Sequence, residues 1–300
     1  MDAKKMLLIF NPVAGLEDFR ESLFSVVDRF TKHGFFVTLY PTQGKRDAYH
    51  VALECCANYD YLVCSGGDGT LHEVVNALMQ LSEKPVFGYI PSGTTNDFAN
   101  SLGLPLDVLL ATDAICKGQL QHIDIGRFGE DYFSYVAAFG LFTDVSYGTS
   151  QNIKNMLGHA AYILEGAKRL TNIKSYHCRI TCDGEAYEDD FIFGMLLNSK
   201  SVGGFELPLS RENWQGDGAF EMVLLKKITR FSELQNVIAA LMGVGPFDEP
   251  LIVRTVKDLT VSCDDPLDWT RDGEFGGSHK TAEIHVCGQA IGIMVPPGEV

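Results

Sequence analysis

Three glycines lie within four residues between a short apolar stretch and a predicted helix. The stretch Leu62–Leu78 reads Leu-Val-Cys-Ser-Gly-Gly-Asp-Gly-Thr-Leu-His-Glu-Val-Val-Asn-Ala-Leu. Gly66, Gly67 and Gly69 would let backbone N–H groups approach an anion, and the positive end of the following helix would attract it. Asp68 would repel a bound phosphate unless a divalent cation lay between the two groups. The stretch therefore indicates a phosphate site or, equally well, a glycine-rich turn in which Asp68 caps the helix.

A second polar turn follows the next predicted strand, Pro85–Ile90. It reads Pro91-Ser-Gly-Thr-Thr-Asn-Asp-Phe-Ala99 and contains hydroxyls, an amide and a carboxylate. Turns that follow neighbouring parallel strands meet at one edge of the sheet, where ligands bind in such folds. The two turns are therefore expected to lie side by side. No Gly-Lys-Ser/Thr sequence follows the first turn, which excludes the familiar nucleotide-binding P-loop.

The elements around these turns alternate between strand and helix. Strands are predicted at Lys5–Phe10, Phe35–Tyr40, Tyr61–Cys64 and Pro85–Ile90, and helices at Glu17–His33, Asp47–Cys56 and Pro105–Lys117. This succession predicts a parallel sheet with helices on both faces. Asn11 and Thr42 follow the first two strands, so we expect them at the same edge of the sheet as both turns.

From about residue 125 onwards, strand follows strand. Strands are predicted at Ile123–Phe128, Tyr132–Phe139, Tyr176–Cys182, Phe191–Asn198, Ala219–Leu225, Val253–Cys263 and Ala282–Val286, and helices at Met156–Thr171 and Phe231–Met242. Strands without crossover helices indicate an antiparallel sheet or sandwich. We expect two domains, residues 1–127 and residues 128–300. The last strand, within residues 290–300, could return to the first domain.

Composition excludes several classes of protein. The formal net charge of −15 argues against a nucleic-acid partner, because a phosphate backbone would be repelled. No apolar stretch has the length of a membrane span, and the run after Lys4 and Lys5 is too short for a signal peptide, so a cytoplasmic protein is expected. The eight cysteines lack zinc-ligand spacing and are expected to be free thiols.

The two turns together, Ser65-Gly-Gly-Asp-Gly-Thr70 and Pro91–Ala99, resemble the catalytic domain of diacylglycerol kinases. The whole chain resembles the soluble bacterial lipid kinases of that family, which are relatives of sphingosine and ceramide kinases. The resemblance implies an α/β nucleotide-binding domain, like that of NAD kinases and diacylglycerol kinases, and a β-rich antiparallel sandwich that binds lipid. It also implies ATP as donor, Mg²⁺ as required metal, and phosphate transfer to a lipid hydroxyl, with diacylglycerol giving phosphatidic acid as the first reaction to test.

The resemblance further implies roles for individual residues. The nucleotide would contact Asn11, Thr42, Gly66, Gly67, Asp68, Gly69, Thr70, Glu73, Thr94, Thr95, Asn96 and Asp97. Mg²⁺ would be held by the Asp217 carboxylate and the carbonyls of Trp214 and Ala219, together with Asp68 and Asp97. Either Glu274 or Asp272 would be the general base towards the lipid hydroxyl, with Asp68 as a further catalytic residue.

Two more carboxylates have open interpretations. Asp124 resembles a carboxylate near the domain hinge of relatives, and it is equally compatible with a hydrogen-bonded polar residue at a strand end. A second Asp-Gly-Glu tripeptide, Asp183–Glu185, follows an alternating stretch and is predicted to be a hairpin turn.

Contact with a lipid at an anionic membrane surface would need a local basic or apolar patch in so acidic a chain. The segment Asn152–Lys174 is the candidate, and an amphipathic helix packed on its own domain is the alternative. The expected location is the cytoplasm with transient, peripheral membrane contact, and relatives suggest a homodimer. Two other functions stay open: an NAD kinase, against which the Pro91–Ala99 turn argues, and a catalytically inactive regulator that binds lipid or nucleotide.

Overall fold

The computed structural model describes residues 3–13, 18–140, 174–199, 201–202, 205–206, 216–241 and 243–297. The predicted helix Met156–Thr171, Trp214 and all of the candidate membrane segment except Lys174 lie outside these residues. The chain divides into two compact units, Met1–Ile125 with Gly288–Val300, and Gly126–Cys287. Within the described ranges, no helix is long and apolar enough to cross a bilayer.

The strands of the first unit pair in parallel. They are β1 (Lys4–Phe10), β2 (Phe35–Pro41), β3 (Tyr61–Gly66), β4 (Val86–Pro91) and the C-terminal part of β15 (Glu274–Val295). Strand β1 lies between β2 and β3, and β4 lies between β3 and β15. Strands β3 and β4 are apolar and almost wholly buried, as expected of parallel strands that are covered on both faces.

In the described part of the first unit, five α-helices accompany these strands. They are α1 (Asp18–Lys32), α2 (Asp47–Cys55), α3 (Asp68–Gln80), α4 (Asp97–Ser101) and α5 (Val108–Lys117). Helix α1 packs with α5, and α2 packs with α3. Helix α5 begins later than predicted because Asp107 Oδ1 accepts hydrogen bonds from the backbone of Leu109 and Leu110, at 2.9 and 2.8 Å, and so caps its first turn.

The second unit is mainly antiparallel. Its elements are β5 (Gln119–Phe128), which begins in the first unit, β6 (Asp131–Phe133), β7 (Val136–Gly140), β8 (Tyr176–Cys182), β9 (Glu185–Leu197), β10 (Ser201–Val202), β11 (Phe205–Glu206), β12 (Phe220–Lys226), α6 (Phe231–Leu241), β13 (Leu251–Val256), β14 (Asp258–Arg271) and the first part of β15. The long strands β9 and β14 each pair with β8 and with β7 at different points along their length. Aromatic residues contribute to the core together with aliphatic ones, and they include Phe133, Phe139, Phe191, Phe220 and Trp269.

Two predicted strands are each divided by an aspartate from elsewhere in the chain. Tyr132–Phe139 forms β6 and β7, and Val253–Cys263 forms the end of β13 and the start of β14. At the first break the backbone donates hydrogen bonds to Asp272, and at the second it donates to Asp183. These aspartates lie 138 and 74 residues from their partners, so no local pattern could predict either break.

The expectation that all cysteines are free was wrong for one pair. Cys178 of β8 lies opposite Cys263 of β14, and the two sulfur atoms form a disulfide. The sequence separation of 85 residues carried no signal of this pairing. The other six cysteines form no disulfide, and burial raises the pKa of Cys64 and raises that of Cys56 to about 12.

Candidate functional site

The first glycine turn connects β3 to α3. Gly67 is the N-cap residue of α3, and Asp68 is the first residue of the helix rather than its cap. A Cβ atom at Gly66 would lie 2.6 Å from the side chain of Thr70, so this position accepts glycine alone without rearrangement. The turn therefore brings backbone rather than side chains to the start of the helix.

Asn96 shapes the second turn. Its Oδ1 accepts a hydrogen bond from the Gly93 N–H, and its Nδ2 donates to the Gly93 carbonyl, both at 2.9 Å. Asn96 adopts the left-handed conformation with φ 51°, which asparagine tolerates better than most residues.

The two turns pack directly against each other. A Cβ at Gly93 would lie 2.6 Å from the Gly67 Cα, so both positions depend on the absence of a side chain. The Tyr89 hydroxyl and the Ser92 N–H also donate to the Gly66 carbonyl, at 2.9 and 3.0 Å. The structure thus brings together the two turns that the sequence analysis singled out.

A cavity of about 440 Å³ lies beside the first turn. It is lined by Asn11, Val13, Thr42, Gln43, Gly44, Lys45, Ala48, Gly67, Gly69, Thr70 and Glu73. Six of these residues were predicted to contact a nucleotide: Asn11, Thr42, Gly67, Gly69, Thr70 and Glu73. Of the other predicted contacts, Gly66 and Asp68 flank the lining within the first turn, and Thr94, Thr95, Asn96 and Asp97 belong to the second turn.

Three further residues of the loop between β2 and α2 line this cavity beside Thr42 but were not predicted: Gln43, Gly44 and Lys45. Asp47 Oδ2 accepts a hydrogen bond from the Gln43 N–H at 2.7 Å. Glu73 Oε1 accepts one from the Arg46 N–H, also at 2.7 Å. Glu73 therefore holds the wall of the cavity in place. Gly44, which follows β2, was the feature of the sequence that could have indicated this loop.

In the second unit, Asp272 and Gly273 form the two-residue turn between β14 and β15, with φ values of 48° and 83°. The Asp272 carboxylate is buried and accepts hydrogen bonds from three successive backbone N–H groups, those of Ser134, Tyr135 and Val136, at 2.7, 3.0 and 3.2 Å. Both of its oxygens thus hold the connection between β6 and β7. Glu274, the next candidate base, lies exposed at the start of β15.

The predicted metal ligands are spread over both units. Asp217 is exposed between two glycines of positive φ, and its Oδ1 accepts a hydrogen bond from the Ala219 N–H at 3.1 Å. Asp68 and Asp97 are the first residues of α3 and α4. Among the residues that the structure describes, no three His, Cys, Asp or Glu side chains form a metal-binding group. Mg²⁺ often takes only one or two protein carboxylates besides water and phosphate, and the oxygen donors at Asp217 and Ala219 fit that chemistry.

Asp124 has a structural partner within the first unit. It is fully buried in β5, and its Oδ1 accepts a hydrogen bond from the Gln289 N–H at 2.7 Å. Gln289 has a φ of 51°, so the aspartate supports a bend in β15. Of the two interpretations of Asp124, this contact favours the hydrogen-bonded polar residue.

Comparison with known proteins covers almost the whole chain. Residues 5–128 match the family model of the diacylglycerol kinase catalytic domain. The chain is 34% identical over 276 residues to the diacylglycerol kinase of Bacillus subtilis strain 168, which covers 91% of both chains. It is also 34% identical over 276 residues to the diacylglycerol kinase of Staphylococcus saprophyticus, covering 91% of this chain and 90% of that one.

Solved structures show the same fold. The crystal structure of a diacylglycerol kinase from Bacillus anthracis strain Sterne has a TM-score of 0.77 at 22% identity and covers all of both chains. A crystal structure of a Bacillus anthracis protein with 24% identity has a TM-score of 0.82 and covers 100% of this chain and 98% of that one. Since the relatives at 34% identity match over nine-tenths of its length, the chain belongs to the diacylglycerol kinase family.

Proposed function

We propose that this chain is a lipid kinase that transfers the γ-phosphate of ATP to the hydroxyl of diacylglycerol and so forms phosphatidic acid. The observation that carries the proposal is the direct packing of the two glycine turns beside a cavity in the first unit. The identity to diacylglycerol kinases extends through the second unit, which supports a lipid rather than NAD as acceptor.

We assign the nucleotide to the first unit, a parallel sheet with helices on both faces. The first N–H groups of α3 have no partner within the helix and carry its positive partial charge, so phosphate binds well there. Gly67, Gly69 and Thr70 line the cavity at this helix end, and Asn11 and Thr42 line it from the ends of β1 and β2. Thr94, Thr95 and Asp97 supply further polar groups from the second turn, which Asn96 holds in shape.

In the second unit, a β-rich domain that we propose binds the lipid, Glu274 is the proposed base. Phosphoryl transfer depends mainly on positioning and charge stabilisation, and a base must reach the proton of the attacking hydroxyl. Both oxygens of Asp272 accept backbone hydrogen bonds, so Asp272 sets the turn that presents Glu274. Asp68, at the start of α3, is the proposed acidic group on the phosphate side.

Mg²⁺ is the proposed metal. When bound, it would neutralise charge on the phosphate oxygens. In the second unit, the Asp217 carboxylate, the Ala219 carbonyl and the carbonyl of Trp214, which lies outside the described residues, would be its ligands. In the first unit, Asp68 and Asp97 are the proposed acidic residues for Mg²⁺ at the phosphates. Acting on a lipid from the cytoplasm, the enzyme would touch the membrane peripherally and transiently.

The decisive experiment measures transfer of labelled γ-phosphate from ATP, with Mg²⁺, to lipids in mixed micelles. The panel contains diacylglycerol, monoacylglycerol, sphingosine, ceramide and phosphatidylglycerol, with NAD as an aqueous control. Labelled phosphatidic acid is expected. Labelled NAD alone would contradict the proposal, and no product from a folded, ATP-binding protein would favour an inactive regulator.

A glycine variant tests the observation that carries the proposal. Gly93→Ala would force a Cβ to within 2.6 Å of the Gly67 Cα, so the two turns must separate and transfer should fall strongly. Gly34→Ala is the matched control, because Gly34 has a φ of +84° at the end of α1 and no atom within 4 Å of an added Cβ. If both variants keep wild-type transfer rates, the packed turns are not the phosphate site.

A further inference from the structure

We propose that Lys45 binds the phosphates of the nucleotide and supplies, from the loop between β2 and α2, the positive charge that the glycine turn lacks. The inference rests on the proposed function, because it names a further residue of the same nucleotide site. Neither the two glycine motifs nor the predicted ligand set includes this lysine.

Among the described residues of the cavity lining, Lys45 is the cation. Of the described residues that line the cavity, two carry a formal charge, Lys45 and Glu73, and the others are glycines or have polar or apolar side chains. ATP brings several negative charges to this cavity in a chain whose formal net charge is −15. A lysine ammonium group binds phosphate as a compact point charge with three donors. Without it, Glu73 would be the one formal charge among the described lining residues and would oppose the ligand.

The loop that carries Lys45 is anchored on both sides of it. The Gln43 N–H donates to Asp47, and the Arg46 N–H donates to Glu73. The Asp47 N–H also donates to the Gly44 carbonyl, at 3.3 Å. The backbone of Lys45 therefore lies between two fixed positions at the cavity wall, while its side chain is exposed and lines the cavity.

The neighbouring cation, Arg46, contacts an aromatic ring instead of the cavity. The guanidinium carbon of Arg46 lies 5.0 Å from the ring centroid of Tyr49, in a cation–π contact. Neither Arg46 nor Tyr49 belongs to the cavity lining. The Arg46 side chain thus provides a control charge one residue from Lys45, with the same contribution to the net charge of the protein but outside the cavity lining.

The test is equilibrium binding of ATP and adenosine to the full chain by calorimetry, without lipid, for wild type, Lys45→Met, Lys45→Arg and Arg46→Met. Loss of one charge-assisted contact corresponds to a roughly 10- to 100-fold weaker ATP affinity for Lys45→Met. Adenosine affinity should stay unchanged, Lys45→Arg should keep most of the ATP affinity, and Arg46→Met should remain within about twofold of wild type.

Two results would overturn the assignment of Lys45. One is wild-type ATP affinity in Lys45→Met, and the other is an equal loss of affinity in Lys45→Met and Arg46→Met, which would reflect the net charge alone. A failure of the proposed function can be distinguished from a failure of the Lys45 assignment. A protein that binds ATP through Lys45 but phosphorylates no lipid would refute the kinase assignment only, whereas full transfer to diacylglycerol with an unchanged KM for ATP in Lys45→Met would refute the role of Lys45 only.

Discussion

Asp183–Glu185 and Asp272–Glu274 have the same three residues and form the same kind of turn. In each case an aspartate and a glycine join two antiparallel strands, β8 to β9 in the first and β14 to β15 in the second. The φ values are 46° and 90° in the first turn and 48° and 83° in the second. Two positive φ angles are typical of the type I′ hairpin turn, for which Asp-Gly is a preferred sequence.

The surroundings of the two turns differ. The Asp183 carboxylate is exposed and accepts hydrogen bonds from the Lys257 and Asp258 N–H groups, at 3.1 Å each. Asp272 is 3% exposed and accepts three backbone hydrogen bonds at the break between β6 and β7. The same tripeptide is therefore a surface turn in one place and an internal support in the other, because burial makes its hydrogen bonds hard to replace by water.

The largest expected difference between the two turns is the effect of their glutamates on kcat. Glu274→Gln should lower kcat by about 10²- to 10⁴-fold, because the variant loses the proposed base. Glu185→Gln is the matched control, since Glu185 Oε2 accepts a hydrogen bond from the Tyr187 hydroxyl at 2.7 Å in an exposed hairpin, and kcat should not change. Initial rates of phosphate transfer to diacylglycerol in mixed micelles measure both. Full activity of Glu274→Gln would show that Asp272 or water, and not Glu274, is the base.

The aspartates should differ in stability. Asp272→Ala leaves three backbone N–H groups at a buried site without their acceptor, so the free energy of unfolding should fall by about 3 kcal/mol. In Asp183→Ala, the backbone N–H groups that donate to Asp183 can bond to water instead. The free energy of unfolding should therefore fall by less than about 1 kcal/mol. Urea denaturation compares the two variants, with Asp272→Asn expected to be intermediate because one acceptor oxygen remains. Equal losses would show that the burial of Asp272 does not distinguish the two turns.

The glycines should have similar effects on stability but different effects on catalysis. Gly184 and Gly273 both have positive φ, so replacement by alanine should cost about 1 kcal/mol of unfolding free energy at each position. Only Gly273→Ala should also lower kcat, since it strains the turn that presents Glu274. Thermal denaturation and transfer rates on the same preparations make the comparison. A loss of kcat in Gly184→Ala would show that strain in either hairpin suffices.

The smallest expected effect is a pH dependence in the hairpin of Asp183. The hydrogen bond that His177 Nδ1 donates to Asp190 Oδ1 raises the pKa of His177 above its usual 6.5. This pair stabilises the folded protein below the ordinary histidine pKa, and the contribution disappears as the pH rises through the raised pKa. The difference in urea midpoint between wild type and His177→Gln should therefore be larger at pH 5.5 than at pH 8. A difference independent of pH would exclude this ion pair as its source.

The glycine turns were the part of the site that the sequence could predict. The backbone must approach other backbone or a small side chain at Gly66, Gly67 and Gly93. Glycine is the residue type that permits such an approach, so its occurrence in the sequence indicated it. The hairpin at Asp183 was predicted for the same reason, as were the positions of β1 to β4 to within a few residues. Lys45 was not predicted, because a lysine in a loop carries no local sign of the cavity beside it.

The sequence by itself therefore determined the local structure and the family of this protein. It indicated the strands and helices of the first unit, the turn types, and the motifs that identify the family. Only the tertiary structure decided which groups meet across the chain. It opposed Cys178 to Cys263, placed Asp272 against the backbone of Ser134 and Tyr135, and anchored the loop of Lys45 to Glu73. Hydrogen bonds and strand register over tens of residues depend on packing, for which a turn or a helical period carries no information.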